Sequence, residues 1–335
     1  MQSMRPIVLS AIGVAIVAVA WLLTQSTAFR PSSSLDNPLG KSFDFDVSRY
    51  AKTDPKTIIR DEGKPMTTGQ SRLRGIAVGT DDRIYVAGDN SVVTLDRSGS
   101  RLANVEVGGP ANCIAVDENG DMYLGMRDHV EIYGPTGSRK AAWPVIGTNA
   151  LLTSIALKPG SVFVADAGKR AVYRFDGSGK LLNKIGEKNK EAGEPGYYVP
   201  SPYFDLAIGY DRTLWVVDPG RHEFRNYRDD GERISSWAKA SFDIDGFSGC
   251  CNPTHIAIMS DGSFVTTEKS LVRVKIHGPD GHLVGVVAGP ESFAEGTRGL
   301  DVALDSAGRI LVLDPSRGTV RVFVEKQSKG QGGGK

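Results

Sequence analysis

The side chains best suited to chemistry recur at one place in this 335-residue chain, directly before a short apolar phrase. Cys113 precedes Ile-Ala-Val, Ser154 precedes Ile-Ala-Leu, Asp205 precedes Leu-Ala-Ile, His255 precedes Ile-Ala-Ile, Asp301 precedes Val-Ala-Leu and Gly75 precedes Ile-Ala-Val. Residues that share such a context occupy equivalent positions of a repeated unit. Arranged around an axis, the units would bring two carboxylates, an imidazole and a thiol together. Asp205, His255 and Asp301 could then hold a divalent metal or move a proton. The same residues also have a structural use, in which the carboxylates accept hydrogen bonds from backbone amides of neighbouring units and His255 packs between them.

The three cysteines form the second chemical feature. Cys250 and Cys251 are adjacent in Gly249-Cys250-Cys251-Asn252-Pro253-Thr254-His255, and Cys113 is the counterpart of His255 in its own unit. In an oxidising compartment thiols pair by default. Cys113 bonded to Cys250 or Cys251 is the expected arrangement, with a vicinal Cys250–Cys251 bond or reduced, metal-bound thiols as alternatives. Neighbouring cysteines seldom share one tetrahedral metal site, so a soft metal there is weakly supported. His129, His222, His277 and His282 fall away from the recurring position and are expected on the surface. Asp166, Asp218 and Asp314 recur at the ends of apolar runs, where a carboxylate caps a turn. The chain has no Gly-rich phosphate loop, no Gly-x-Ser-x-Gly elbow and no Cys-x-x-Cys-His haem site.

The elements that must position these residues are short strands. Residues 299–325, GLDVALDSAGRILVLDPSRGTVRVFVE, contain three apolar runs of strand length separated by Asp/Gly/Pro turns, the signature of an antiparallel meander. The phrase begins at residues 75, 113, 154, 205, 255 and 301, about 45 residues apart, which is the pitch of a propeller blade. A fourth apolar segment follows most units through a Gly turn, at residues 102–107, 181–185, 233–237 and 283–288. The chain therefore reads as an all-β, six-bladed β-propeller of four-stranded antiparallel blades.

The pattern x-Ile-Ala-Val, Asp-x-x-Gly, Ile-Tyr-Val-Ala-Asp and Val-x-x-Phe-Asp-x-x-Gly resembles the NHL-repeat family over residues 55–325. That resemblance implies a six-bladed β-propeller, a fold that carries lyases, lactonase-like enzymes and binding modules alike. Enzymes of this type hold a metal near the axis, where Asp205, His255 and Asp301 stand here. Amidating lyases of this kind place several His around zinc, and only His255 has such a position in this chain. Lactonase-like relatives use Glu, Asn and Asp, and no Glu occurs in this ring.

Ahead of the repeats, a short basic lead with Arg5 precedes an uncharged apolar run, residues 7–23, from Ile7 to Leu23. At 1.5 Å per residue this run approaches the thickness of a bilayer core, and Trp21 lies near its outer end. It reads as one N-terminal transmembrane helix. The alternative is a signal segment cleaved after Ser26-Thr27-Ala28. Either reading sends the propeller to the periplasm or the extracellular space. Residues 1–27 are thus an anchor or signal segment, 28–54 a tether, 55–325 the propeller and 326–335 a disordered Gly/Lys tail. Blade six has no outer strand of its own, and residues 57–61 are expected to supply it, removing a free sheet edge.

A net charge of +1 gives no field for nucleic acid. Long connections at residues 187–204, 238–254 and 290–300 should all emerge at one mouth of the channel, the face where insertions mark binding. Tyr197, Tyr198, Tyr203, Phe204, Phe242 and Phe247 lie in the first two connections and are candidate partner contacts, with a local core as the plainer alternative. The expected function is that of a membrane-anchored extracytoplasmic propeller binding a protein, as a scaffold subunit of a membrane complex, without a cofactor. A metal-dependent lyase or hydrolase, with a divalent metal in the channel, is the alternative.

Overall fold

The computed structural model describes residues 48–191 and 193–326. The apolar run at 7–23, the cleavage motif, most of the tether and the tail beyond Lys326 lie outside the described residues. Among the described residues no helix is long and apolar enough to cross a membrane.

From Tyr50 to Lys326 the described residues fold into one compact unit built of six antiparallel sheets, five of four strands and one of five. In blade five the order is His255–Ile258, Phe264–Thr267, Val274–His277 and Leu283–Ala288, from axis to rim. Inner strands of successive blades lie side by side, and that of blade six, Asp301–Leu304, lies against that of blade one, Leu73–Val78, which closes the ring. Second strands such as Ile84–Gly88 and Ile310–Asp314 are buried throughout, because blades pack on both faces. This explains their near-continuous apolar sequences. The outer strand of blade two, Arg139–Ala142, gave no apolar signal because it is largely exposed.

The Asp-x-x-Gly turn is the lock between blades. In blade three the Asp176 carboxylate accepts hydrogen bonds from the Ser178 and Lys180 amides, and Gly179 takes a φ of +86° that favours glycine. A Cβ on Gly179 would lie 2.6 Å from Trp143, which reaches across from the end of blade two. In blade five Gly281, in the turn Gly278-Pro279-Asp280-Gly281, stands in the same relation to Trp237 of blade four, at 2.5 Å. The turn thus leaves a bare backbone against which a large ring of the preceding blade is buried.

Residues from before the first blade complete blade six, with a shifted register. Arg60–Glu62, rather than 57–61, pairs antiparallel with Thr319–Glu325, and Met66–Thr67 adds to the other end of the same strand. Pro55–Thr57 forms a turn capped by Asp54, so the extended chain begins only at Ile58. Ile58 and Ile59 belong instead to the rim of blade five, where the Ile59 amide donates to Val286 O at 2.9 Å. Lys326, placed by the sequence in the tail, donates to Ile58 O at 2.6 Å and is part of the closure.

One ion pair fixes this closure. Arg321 is buried, and its guanidinium makes two parallel bonds of 2.7 Å to Glu62 while the Phe293 and Phe323 rings flank it. Removing one partner of a buried pair costs about 3–5 kcal/mol, and about 2 kcal/mol is expected for Glu62→Ala because Glu62 is partly exposed. Arg321 also holds the Glu62 carboxyl below its ordinary value of 4.5 through the hydrogen bond, against the opposing effect of burial. A depressed carboxyl stabilises the fold above its unfolded pKa and loses that contribution as pH falls. Denaturant unfolding of wild type and Glu62→Ala should therefore differ at pH 7 and converge on acidification below 4.5.

Candidate functional site

The residues of the recurring position lie at or near the starts of the inner strands, and the primary partners of Asp205 and Asp301 are backbone amides. Asp205 Oδ1 accepts from its own strand at Leu206 N, 2.9 Å, while Oδ2 accepts from Ile256 N of blade five at 2.7 Å. Asp301 repeats the arrangement, with Val302 N at 2.7 Å and Ile76 N of blade one at 2.9 Å. Ser154 Oγ lies 3.3 Å from Leu206 N and does the same between blades three and four. These side chains stitch neighbouring blades where their strands begin.

His255 sits between the two carboxylates, with Nδ1 3.5 Å from Asp205 and 3.4 Å from Asp301, and the Tyr203 ring stands edge-on to it at 6.1 Å. Burial opposes its charge, but Asp301 and Asp205 outweigh burial and raise the imidazole to about 9. At neutral pH His255 is a cation. Asp301 itself is pushed upward by burial and by Asp205, against the attraction of His255. The Cys113 thiol is buried and pushed well up, first by burial and then by the same carboxylates. It faces Gly125, where a Cβ would come within 2.3 Å of its sulfur.

Each oxygen of the two carboxylates accepts one backbone N–H bond. Among the described residues no group of three or more His, Cys, Asp or Glu is arranged to hold an ion. Chemically, the trio is an imidazole flanked by two carboxylates, and its His255 lines a cavity.

That cavity, of about 440 Å³, opens at the channel mouth and is lined by Arg74, Asn112, Thr153, Tyr203, His255 and Arg298, among others. Arg74 is held by Asp89 at 2.6 Å and Asn112 at 3.2 Å, while Arg298 is exposed at the rim. Cys250 and Cys251 lie in the adjoining 238–254 insertion with their sulfurs 2.9 Å apart. The bond expected from Cys113 to this pair is not formed, and all three cysteines are free. Cys113 is packed instead among Leu152, Ile155 and their apolar neighbours.

The insertions are fastened from below by buried cations that sequence reasoning missed. Arg225, in the third strand of blade four, pairs with Asp218 at 2.8 Å, Glu223 at 2.8 Å and Glu194 at 2.9 Å, and donates to Gly196 O. Glu194 and Gly196 belong to the 187–204 insertion. Lys275 holds the corresponding place in blade five, bonding Glu268 at 2.8 Å and the carbonyls of Ile244 and Gly246 in the 238–254 insertion. Burial, aided by Arg273, lowers it to about 8 against the pull of Glu268. Arg273 adds two bonds to Glu268 and reaches the Phe242, Asp243 and Gly246 carbonyls. In blade six Arg321 donates to Ser292 O of the 290–300 insertion at 3.1 Å. The signal was present as basic residues inside third-strand segments, in Glu-Phe-Arg-Asn-Tyr, Val-Arg-Val-Lys-Ile and Val-Arg-Val-Phe.

This arrangement corrects several expectations. Tyr197, Phe204 and Phe247 are core residues, Tyr197 and Phe204 against each other and Phe247 against Phe224 and Trp237. Tyr198 and Phe242 remain outside, 48 % and 39 % exposed, and Tyr203 is partly buried at the cavity wall. His277 is not a surface residue. It packs against Trp237 and Phe247, and burial and then Lys275 drive its pKa down to about 3. Asp166, Asp218 and Asp314 do cap turns, as with Asp166 and Leu151 N at 2.8 Å, but they are fully buried, and Asp218 also neutralises Arg225.

No protein-family model and no curated protein matches the sequence. Solved structures do resemble the fold. A streptogramin B lyase aligns at 12 % identity over 80 % of this chain and 98 % of its own, with a TM-score of 0.55. Virginiamycin B lyase from Staphylococcus aureus aligns at 12 % identity over 81 % and 89 %, with a TM-score of 0.53. A protein of unknown function from Bacteroides thetaiotaomicron aligns at 14 % identity over 81 % and 74 %, at 0.57. At such identities the likeness is one of fold.

A raised imidazole stabilises the folded state below its unfolded pKa of 6.5 and loses that contribution as pH rises through about 9. Titration of the His255 ring by NMR should show a midpoint near 9, and wild-type stability should decline relative to His255→Gln between pH 6.5 and 9. A midpoint at or below 6.5 would mean that the carboxylates do not hold a cation.

Proposed function

We propose that this chain is an NHL-type propeller, tethered to a membrane through residues 7–23 or released by cleavage, that binds a protein partner on its channel-mouth face outside the cytoplasm. The observation that carries this reading is the construction of that face. Its insertions are clamped by buried cations, so their exposed aromatic groups, Tyr198 and Phe242, are held in place before a partner arrives. Pre-ordered side chains lose less entropy on association, and rigid aromatic residues are the usual anchors of an interface. In this reading residues 1–27 anchor or direct the chain, 28–54 separate the propeller from the bilayer, and the scaffold serves a membrane complex.

A second reading keeps the cavity as a catalytic site of a lyase or hydrolase. It is favoured by a histidine at the cavity floor and by the fold shared with streptogramin B lyase. Against it stands the engagement of Asp205 and Asp301 with backbone amides of neighbouring blades, a structural use of the same carboxylates. Stoichiometric metal in the purified protein, lost on His255→Ala, would favour this second reading.

The binding reading is tested by affinity capture from detergent-solubilised membranes with three baits. Wild type and Leu102→Ser, altered on the exposed rim of blade one, should recover the same partner in equal amount. Tyr198→Ser combined with Phe242→Ser should reduce recovery at least tenfold. Equal recovery by all three baits would place the interface elsewhere.

A further inference from the structure

The geometry of the 238–254 insertion points to a redox site: we propose that Cys250 and Cys251 form a dithiol that is oxidised to a vicinal disulfide by exchange with a low-molecular-weight disulfide. Three observations carry this. The sulfurs lie 2.9 Å apart, about 1 Å beyond the length of an S–S bond, so only a local adjustment of the pair separates them from bonding distance. Cys250 is exposed and Cys251 is buried, giving one sulfur that an external reagent can reach and one that it cannot. The side chains of Ser201 and Lys269 both reach the Cys251 sulfur, and Lys269 Nζ lies 3.2 Å from Ser201 Oγ and 4.9 Å from the Tyr203 ring centre.

Asn252 holds this geometry. Its amide group donates to Ser248 O at 2.7 Å and Lys269 O at 3.0 Å, and its carbonyl accepts from Lys269 N at 2.9 Å. The residue after the pair is thus bolted to the backbone of the lysine that faces the pair. Burial raises the Cys251 thiol, but the bonds from Cys250, Ser201 and Lys269 outweigh it and bring it below its ordinary value. Cys250 is raised, first by sharing its proton with Cys251. Cys251 is therefore the more readily ionised thiol of the pair, and its ionised form is the base that takes the Cys250 proton.

The exchange balances in two steps. Cys250 passes its proton to Cys251 and its sulfur attacks the external disulfide, forming a mixed disulfide and releasing one thiolate, which takes a solvent proton. The Cys251 thiol then loses its proton to solvent, and the thiolate, stabilised by Lys269, attacks the Cys250 sulfur. The Cys250–Cys251 bond forms and the second small thiolate leaves. Two protein thiols are oxidised and one small disulfide is reduced. The product removes the sulfur charge from Lys269 and leaves its ammonium over Tyr203, at the wall of the cavity.

The test uses the full chain, reduced, in detergent, exposed anaerobically to oxidised glutathione, quenched with N-ethylmaleimide and mapped by mass spectrometry. The expected wild-type product is a 250–251 peptide two hydrogens lighter, carrying neither glutathione nor maleimide. Cys251→Ser should stop at a stable glutathione adduct on Cys250, and Cys250→Ser should react at least tenfold more slowly. Lys269→Met should move the pH profile of ring closure up by about one unit, with Lys269→Arg restoring it. The proposal is overturned if wild type retains glutathione on Cys250, keeps both thiols free, or links either cysteine to Cys113.

Discussion

A charge placed inside a blade governs much of this structure. An isolated buried cation costs several kcal/mol, so it is tolerated only where acids and carbonyls surround it. Arg225, Lys275 and Arg321 stand at one register position of the third strand, opposite Val216, Thr266 and Val312. The same position is held by Val93, Glu131 and Tyr173 in the first three blades. Cations thus appear in the blades preceded by the insertions at 187–204, 238–254 and 290–300. Each draws an insertion carbonyl inward, at Gly196, Gly246 and Ser292. The insertions are consequently part of the folded body.

The same logic orders the axis. Asp205 and Asp301 each accept an amide from the next blade, and the two carboxylates flank His255 and raise its imidazole to about 9. A cluster that resembles a catalytic trio by composition is, in its bonding, a joint between blades. The other candidate contact groups are the cavity walls, the exposed Tyr198 ring, Phe242 beside Tyr50, and the paired thiols of Cys250 and Cys251.

The sequence carried the fold well because its information is periodic. Six variants of the Ile-Ala-Val phrase and the recurring Gly turns report the same local geometry, and Trp143 and Trp237 pack on the bare glycines of two of those turns. Residue convergence at the axis was legible from the register alone. The insertions were not, because nothing repeats there. Phe204 and Phe247 have the composition of an interface and the burial of a core, a distinction set by the strands beneath them. Closure by Arg60–Glu62 was shifted from the expected residues because the deciding partner, Arg321, lies 259 positions away. The pairing of Cys113 was misjudged for a related reason. Equivalent register places a residue on the ring but does not say whether its side chain faces the mouth or the apolar layer with Leu152 and Ile155.

The central claim is that buried cations make the mouth of the propeller rigid. Amide hydrogen exchange of the 238–254 insertion measures it most directly, through Ser241 N, bonded to Phe247 O, and Phe247 N, bonded to Lys239 O. In the wild type these amides should exchange at rates comparable to the strands of blade five. In Lys275→Met, which keeps the side-chain bulk and removes the ammonium that grips Gly246 O, they should exchange at least tenfold faster while the blade strands stay protected. Fast exchange of the insertion in the wild type, or unchanged exchange in Lys275→Met, would contradict the account.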